Sequence, residues 1–300
     1  MNIGIVGLGK MGFSIAVRLL NAGHKVIGID QSSDTKKKAA EIGVDVVDSF
    51  EALAQKTDTI WLMVPVSQVD TVIHAIAPHL KAGNIIIDGG NSFYKDSQRR
   101  QQELARDGII FLDCGTSGGI QGETQGFCLM VGGDAASYTK IHPLLAAIAA
   151  PGGLGHIGPS GAGHYVKTVH NGIEYGLMEA YAEGLHLIKD GVFKKNAIDL
   201  EELTRIWQVS SIIRSFLLEL THRVMAQDQE LHAMSGQVAE GGTGKWTVEQ
   251  AHESDIPVPV IEAALKVREW SRQTGGNYAT KVIAMMRHEF GGHAVTKIKK

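Results

Sequence analysis

Cysteine is scarce in this sequence, and its scarcity indicates the compartment. Only Cys114 and Cys128 occur among 300 residues. A scaffold held together by disulfides needs more cysteines, so this number suits a reducing environment. The chain also enters its first apolar stretch at residue 3 without the basic region that opens a secretory signal. We therefore expect a cytoplasmic protein.

An excess of one charge and a long apolar run are missing too. The net charge is −3, so no basic field favours nucleic acid or an anionic membrane. No uncharged apolar run reaches the roughly 20 residues that span a bilayer. The 13 histidines show no metal-ligand spacing, and no Ser–His–Asp set or triphosphate-binding loop stands out. We expect no nucleic-acid partner, no membrane partner and no metal.

A glycine-rich turn lies between a predicted strand at residues 2–6 and a helix that runs to about residue 22. In a G-x-G-x-x-G turn, the first glycine permits the bend, the second lets a pyrophosphate approach, and the third allows close helix–strand packing. The helix N-terminus offers free N–H groups to phosphates. The sequence therefore predicts a dinucleotide site that comprises Gly7, Leu8, Gly9, Lys10, Met11 and Gly12.

An acidic residue after the next strand bears on which dinucleotide binds. Asp30 ends a predicted strand at 25–30, where a carboxylate accepts hydrogen bonds from the adenosine ribose and repels a 2′-phosphate. This favours NAD. The three lysines at 36–38 keep NADP open because they could lie near a 2′-phosphate, although they also suit the solvated start of a helix.

The alternation of strand and helix continues through the first half of the chain. We predict strands at 59–64, 85–88, 109–113 and 128–132 and a helix at 135–149. We assign Met63 and Val64, at the end of the first of these strands, to the cofactor site. Asn91 follows the strand at 85–88, at the carboxyl end where ligands bind, and is assigned to both cofactor and substrate.

Two stretches rich in glycine complete this half. Residues 115–119, Gly-Thr-Ser-Gly-Gly, would expose backbone N–H groups to an anion or carboxylate, unless they form an ordinary surface loop. Their candidate site residues are Ser117, Gly118 and Gly119. The Pro and Gly clusters at 151–153 and 158–161 predict the end of the domain.

One predicted helical face in the second half carries the polar groups of a catalytic site. Its residues are spaced i, i+3, i+4, i+7 and i+8, so they share one face. The rest of the helix, including Ile173 and Leu177, is apolar, so we expect it to be buried with the polar face lining a cleft. The alternative is a solvated polar face. The face comprises Lys167, His170, Asn171, Glu174 and Tyr175.

Two glycines favour the cleft. Gly172 and Gly176 each cost about 1 kcal/mol relative to alanine in a helix, so close approach of a ligand or another helix would explain them. Beyond residue 162 the periodicity is helical, to about residue 190 and at 198–207, 212–224, 260–270 and 278–290. We predict an α/β fold, with a Rossmann-type doubly wound sheet over 1–161, then a long connecting helix opening an all-α domain over 162–300.

Five motifs together resemble the 6-phosphogluconate dehydrogenase family, in its short, NAD-preferring form. The resemblance covers essentially the whole chain. Other β-hydroxyacid dehydrogenases share the glycine turn, the Ser-Gly-Gly loop and the Lys/Asn pair but generally lack the His and Glu. The motifs are the turn at 7–12, Asp-Gly-Gly-Asn-Ser at 88–92, Ser-Gly-Gly at 117–119, Lys-x-x-His-Asn-Gly-x-Glu-Tyr at 167–175 and Gly-Thr-Gly-Lys-Trp-Thr at 242–247.

The resemblance implies oxidative decarboxylation of 6-phosphogluconate to ribulose 5-phosphate and CO2, with reduction of NAD or NADP. Lys167 would be the general base at the C3 hydroxyl, and Glu174 the acid that protonates C1 of the enediol. Burial favours the neutral forms of an amine and a carboxyl, so one cleft suits both roles. The substrate's carboxylate and hydroxyls would be oriented by Asn91, Ser117, Gly118, Gly119, His170 and Asn171.

By the same resemblance, the phosphate and nearby hydroxyls would be held by Tyr175, Thr243, Arg268, Arg287 and His293. In the family the C-terminal tail completes a neighbouring subunit's site, which implies a homodimer or homotetramer. Without the resemblance, Arg268 reads as a solvated helix residue and the tail as a frayed end. Gly241 stands where many relatives carry a lysine, so one cation is missing.

Two alternatives stay open. The first is an NAD-dependent dehydrogenase of gluconate or another non-phosphorylated β-hydroxyacid, which Gly241 favours. The second is a non-catalytic NAD-sensing protein on the same fold, which the Lys167 and Glu174 pair argues against. A substrate panel separates the first from the family reaction, and NAD binding without turnover would indicate the second.

Overall fold

The computed structural model describes residues 1–196 and 198–297 of the chain. The chain divides into two compact units, Met1–Thr168 and Val169–Lys300. The division falls inside a helix that begins at Ala162. The predicted domain boundary between residues 161 and 162 stays a prediction, and residues 197 and 298–300 of the predicted second domain lie outside the described residues.

Eight strands form one sheet in the first unit. Their order is β3-β2-β1-β4-β5-β6-β7-β8, and only the β6–β7 pair is antiparallel. The order extends from β1 in both directions, so the sheet is doubly wound as predicted, with its switch point between β1 and β4. The strands are β1 (Asn2–Val6), β2 (Lys25–Ile29), β3 (Asp45–Val46), β4 (Thr59–Leu62), β5 (Ile85–Asp88), β6 (Ile110–Ser117), β7 (Phe127–Gly132) and β8 (Ala149–Gly158).

Helices connect these strands, and several begin at side-chain caps. Ser32, Ser49 and Asp134 accept the N–H of the residue three positions later, which satisfies a donor that the first turn leaves unpaired. The helices are α1 (Lys10–Asn21), α2 (Ser33–Glu41), α3 (Phe50–Lys56), α4 (Val69–Ile76), α5 (Tyr94–Ala105), α6 (Gly122–Gln125) and α7 (Ala135–Ile148).

The sheet is buried on both faces. Ile5 and Trp61 belong to one apolar cluster and Val6 and Ile60 to another, and each of these side chains is at most 4% exposed. Neighbouring residues of a strand point to opposite faces, so alternate positions supply the two clusters. This explains why the central strands are apolar at nearly every position.

Strand β8 includes the Pro and Gly cluster at 151–153. This segment pairs in parallel with β7, with register shifts at Phe127/Leu129 and Val131/Gly132. Gly152 adopts a φ of +77°. Proline and glycine are tolerated in irregular edge strands, so here they mark an edge and not a chain turn.

The second unit is helical, as predicted. Its core includes Met178, Leu220, Val224 and Ile283, each fully buried. Helix α11 is absent from the predicted set. No helix in the described part of the chain has the length and apolarity needed to cross a membrane. The helices are α8 (Ala162–Asp190), shared with the first unit, α9 (Leu200–Ser210), α10 (Phe216–Gln227), α11 (Thr243–Glu253), α12 (Pro259–Thr274) and α13 (Tyr278–Gly291).

Candidate active site

The glycine turn between β1 and α1 shows what each glycine does. Gly7 has a φ of +91°, and a Cβ there would overlap the carbonyl oxygen of Met63. A Cβ on Gly12 would overlap the carbonyl oxygen of Gly7, whereas a Cβ on Gly9 would meet nothing within 4 Å. Gly7 and Gly12 are therefore required by packing, and Gly9 leaves open space for a ligand.

A cleft of about 410 Å³ lies beside this turn. Leu8, Gly9, Lys10 and Met11 line it, together with Lys38 of α2. It adjoins the start of α1, whose free N–H groups suit a pyrophosphate. The residues present therefore fit a dinucleotide.

Asp30 directly follows β2 and is held by two backbone amides. Its Oδ2 accepts the N–H of Leu8 at 2.7 Å, and its Oδ1 accepts the N–H of Ser32 at 2.8 Å. A carboxylate oxygen can accept more than one hydrogen bond, so ribose hydroxyls can still bind. Of the lysines at 36–38, Lys36 pairs with Asp48 at 2.7 Å, while Lys38 lines the cleft.

A buried ion-pair network supports the loop that carries Asn91. Asp88 is fully buried and accepts hydrogen bonds from the N–H of Gly90 at 3.1 Å and the hydroxyl of Ser92 at 2.6 Å. Arg100, 2% exposed, donates to Asp88 at 3.2 Å and to Asp70 at 2.7 Å. The sequence prediction missed Arg100, although an acid ending an apolar strand signals a buried cation.

Asp113 of β6 fixes the start of α8. Its carboxylate accepts the N–H groups of Gly161 at 2.6 Å and His164 at 2.8 Å. A carboxylate at a helix N-terminus satisfies unpaired donors and complements the helix dipole. The sequence prediction did not include Asp113, whose role depends on a partner about fifty residues later.

Close packing brings Lys167 against β6. A Cβ on Gly115 would lie 2.5 Å from the Cβ of Lys167, and Lys167 is 7% exposed. Ser117 lies two residues after Gly115 and hence on the same face of the strand. The side chains of Lys167 and Ser117 therefore occupy one side of the sheet. Because β6 extends to Ser117, the loop predicted at 115–119 begins only at Gly118.

The polar face of α8 is buried, as its composition predicts. His170 and Glu174 are half-buried, and His170 Nδ1 lies 3.2 Å from Asn171 Oδ1. The expected burial of the remaining circumference is wrong at Ile173 and Leu177, which are 54% and 44% exposed. The polar side is thus the more enclosed one, and its most buried members are Lys167, Asn171 and Tyr175.

The helical glycines of α8 permit close approach of other helices. A Cβ on Gly172 would lie 2.6 Å from Thr247 of α11, and one on Gly176 would lie 3.2 Å from Val260 of α12. A Cβ on Gly244 of α11 would overlap the ring of Tyr175. Thr243 precedes Gly244 at the start of α11, so the helix brings this candidate site residue toward Tyr175.

Two buried arginines also lie in the second unit. The Arg268 guanidinium stacks on Tyr175, 3.1 Å from the ring centroid. Arg268 is 1% exposed, so its reading as a solvated residue is wrong, and its three guanidinium nitrogens have no hydrogen-bond partner within residues 1–196 and 198–297. Burial lowers the pKa of Arg268 to about 10 and also lowers that of Arg287. A buried cation with unused donors suits an anionic ligand.

The remaining predicted positions are more open. A Cβ on Gly241 would meet nothing within 4 Å. His293 is exposed, and its carbonyl oxygen lies 2.9 Å from Nδ1 of His288. The carbonyl of Thr296 accepts the N–H of Ser235 at 2.8 Å, so the tail contacts its own chain. No group of three or more potential metal ligands occurs among the residues described.

The dinucleotide turn, the doubly wound sheet and the helix that carries the buried Lys167 define a nicotinamide-dependent dehydrogenase. A family model described as the NAD binding domain of 6-phosphogluconate dehydrogenase matches residues 2–189. A second, the 6-phosphogluconate dehydrogenase C-terminal domain, matches residues 163–299. The chain belongs to the 6-phosphogluconate dehydrogenase family, and it is an oxidoreductase. The predicted family, enzyme class and fold class are confirmed.

Individual relatives agree with this assignment. The NAD(+)-dependent decarboxylating 6-phosphogluconate dehydrogenase of Haloferax volcanii is 40% identical over 99% of each chain. The Plasmodium falciparum 6-phosphogluconate dehydrogenase, solved with NADP+ and with 6-phosphogluconate, is 31% identical with a TM-score of 0.82 over 91% of this chain and 62% of that one. A 3-hydroxyisobutyrate dehydrogenase from Salmonella typhimurium, 22% identical, shares the fold, with a TM-score of 0.78 over 94% and 99%.

Proposed function

We propose that the protein catalyses NAD-preferring oxidative decarboxylation of 6-phosphogluconate to ribulose 5-phosphate and CO2. The observation that carries this proposal is the buried guanidinium of Arg268, which stacks on Tyr175 and finds no hydrogen-bond partner among the described residues. A phosphate would accept hydrogen bonds from such a group. A non-phosphorylated acid would leave that cation without an anion.

The chain's own residues would carry the proton transfers. Lys167, buried beside Gly115, takes the proton of the C3 hydroxyl. The turn at 7–12 and Asp30 would hold a nicotinamide dinucleotide, which would supply the acceptor for the hydride that leaves C3. The 3-keto acid loses its carboxylate as CO2, and protonated Lys167 stabilises the enolate oxygen. Glu174, one helical turn beyond His170 on the same face, donates a proton to substrate C2, which becomes C1 of ribulose 5-phosphate. His170, Asn171, Asn91 and Ser117 orient the substrate.

Absorbance of reduced nicotinamide tests the proposal directly. We expect reduction with 6-phosphogluconate and NAD, one CO2 per reduced cofactor, and slower reduction with NADP or gluconate. Turnover of gluconate alone would instead support the non-phosphorylated alternative. The open space at Gly241 favours that alternative, because a family lysine is missing there.

Asp30 is proposed to set the preference for NAD. Replacing it with alanine removes the charge that repels a 2′-phosphate, while Lys38 still lines the cleft. We expect the NADP-to-NAD ratio of kcat/KM to rise about tenfold, which corresponds to about 1.4 kcal/mol. Asp34→Ala, in the exposed first turn of α2, is the control. An unchanged ratio in Asp30→Ala would remove this carboxylate from the explanation.

We also propose a homodimer or homotetramer. Exposed large apolar side chains are numerous in the helical unit, and such surface favours association. Light scattering should give a multiple of the 32.2 kDa chain mass, and a monomer mass at assay concentration would contradict this. Examples are Ile173, Leu177, Val209, Ile212 and Val260, at 44% exposure or more.

A further inference from the structure

A second buried acid lies on α8 beyond the predicted catalytic face. Glu179 follows Tyr175 by four residues, so the two side chains are neighbours on one side of the helix. Glu179 is only 7% exposed. Its Oε2 is buried and finds no hydrogen-bond partner in the described parts of the chain. A buried carboxyl without a partner is costly, which suggests a role beyond packing.

Arg268 approaches the same place from α12. Its guanidinium stacks on Tyr175, and its neighbour Val267 lines a cleft together with Glu179. The arginine's nitrogens also lack hydrogen-bond partners throughout residues 1–196 and 198–297. The acid and the cation therefore share no direct hydrogen bond between these atoms, and the interaction between the two buried groups is electrostatic.

We propose that Glu179 is a specificity-determining residue, an internal counter-charge that sets how strongly Arg268 binds the phosphate of the substrate. This inference rests on the proposed function, because it assigns that phosphate to Arg268. An ionised Glu179 offsets part of the arginine's charge and weakens phosphate binding. A neutral Glu179 leaves the full charge available to the phosphate.

The surroundings of Glu179 shift the ionisation of its carboxyl to near neutral pH. Burial, followed by repulsion from Glu183, raises the pKa of Glu179 to about 7, against the opposing attraction of Arg268. His186 and Asp190 line the same cleft farther along α8. Burial is the largest influence on the pKa of Arg268 and lowers it. Tyr175, Glu174 and Glu179 raise this pKa, and Arg287 lowers it.

The direction of the pH effect follows from these charges. Below the pKa of Glu179 the carboxyl is neutral, so a phosphate dianion binds more tightly. Above it the carboxylate competes with the phosphate for Arg268, so affinity falls as the pH rises. Binding should therefore take up a proton near neutrality.

Calorimetric titration of the full-length wild-type enzyme and Glu179→Gln tests the proposal. 6-Phosphogluconate is titrated into each protein at about pH 6 and at about pH 8. Between these two pH values we expect the Kd of the wild type to rise about tenfold more than the Kd of the variant. A tenfold difference corresponds to a coupling of one pKa unit between Glu179 and the phosphate. Glutamine keeps the shape of the side chain and removes only the charge. Glu183→Gln, on the exposed part of the same helix, is the matched control and should retain most of the wild-type pH dependence.

Inorganic phosphate and gluconate, titrated in the same way, separate the two proposals. An equal pH dependence in the wild type and Glu179→Gln, with both phosphate ligands, would overturn the role of Glu179. Loss of 6-phosphogluconate binding, with a Glu179-dependent response to inorganic phosphate, would overturn the proposed function and leave the counter-charge standing. The Kd for gluconate should change neither with the Glu179→Gln substitution nor with the ionisation of Glu179. A change in the gluconate Kd as large as that for the phosphate ligands would also contradict the inference.

Discussion

Lys167→Ala lowers kcat with 6-phosphogluconate by about 10³-fold or more, the loss expected when a general base and a stabilising cation disappear together. The lysine is buried beside Gly115 on the same side of the sheet as Ser117. Alanine leaves no amine to take the C3 proton or to stabilise the enolate. The cofactor turn at 7–12 and Asp30 lie on other elements, so the Kd for NADH should stay within a factor of about two.

Single-turnover kinetics and a fluorescence titration of NADH measure these two effects. Lys245→Ala is the matched control because that lysine is on a helix but is 65% exposed and pairs with Glu249 at 3.5 Å. We expect its kcat to be close to that of the wild type. Turnover by Lys167→Ala within tenfold of the wild type would refute the assignment of the general base.

Arg268→Met raises the KM for 6-phosphogluconate by about 100-fold while gluconate turnover changes little. Hydrogen bonds to charged groups contribute about 1.5–3 kcal/mol each, so losing one or two is enough for this effect. Methionine fills similar space and can still pack on the ring of Tyr175. Because the wild-type guanidinium is buried without a hydrogen-bond partner among the described residues, its removal should leave Tm unchanged or raise it.

The combination of kinetics and thermal unfolding separates binding from structure. Arg272→Met, one helical turn along α12, is the control, since Arg272 is 38% exposed and donates to the carbonyl of Val238. Its KM should change by less than about threefold. A lower Tm with an unchanged KM in Arg268→Met would mean that this arginine supports the fold and does not bind phosphate.

Local patterns predict most of the fold. The apolar strands, the glycine turn and the 3.6-residue period of α8 depend on neighbours in sequence, and their bounds agree closely with the structure. Strand β8 and helix α11 depend on more distant partners. The cluster at 151–153 lies inside a strand because β7 pairs with Ala149 before it and with Leu154 after it. The two glycines at 242 and 244 make the start of α11 hard to predict, although this helix packs on Tyr175.

In the candidate site, too, local features are predicted from the sequence, whereas features that depend on distant partners are not. The spacing of Lys167, His170 and Glu174 places them on one face without any knowledge of the fold. The buried network of Asp88 and Arg100 and the neighbourhood of Arg268 and Glu179 arise from packing between separate elements. Arg268 is the clearest example, since composition and periodicity alone suggest a solvated residue, yet it is 1% exposed.

The two edge strands of the sheet, β3 and β8, have features that disfavour aggregation. At one margin β3 has only two residues, Asp45 and Val46. At the other, β8 contains Pro151, four glycines and a shifted register. A foreign strand pairs best with a long, flat edge, and a two-residue strand and a strand with a shifted register are poor templates for such pairing. Stacking of these sheets edge to edge into fibrils is therefore disfavoured.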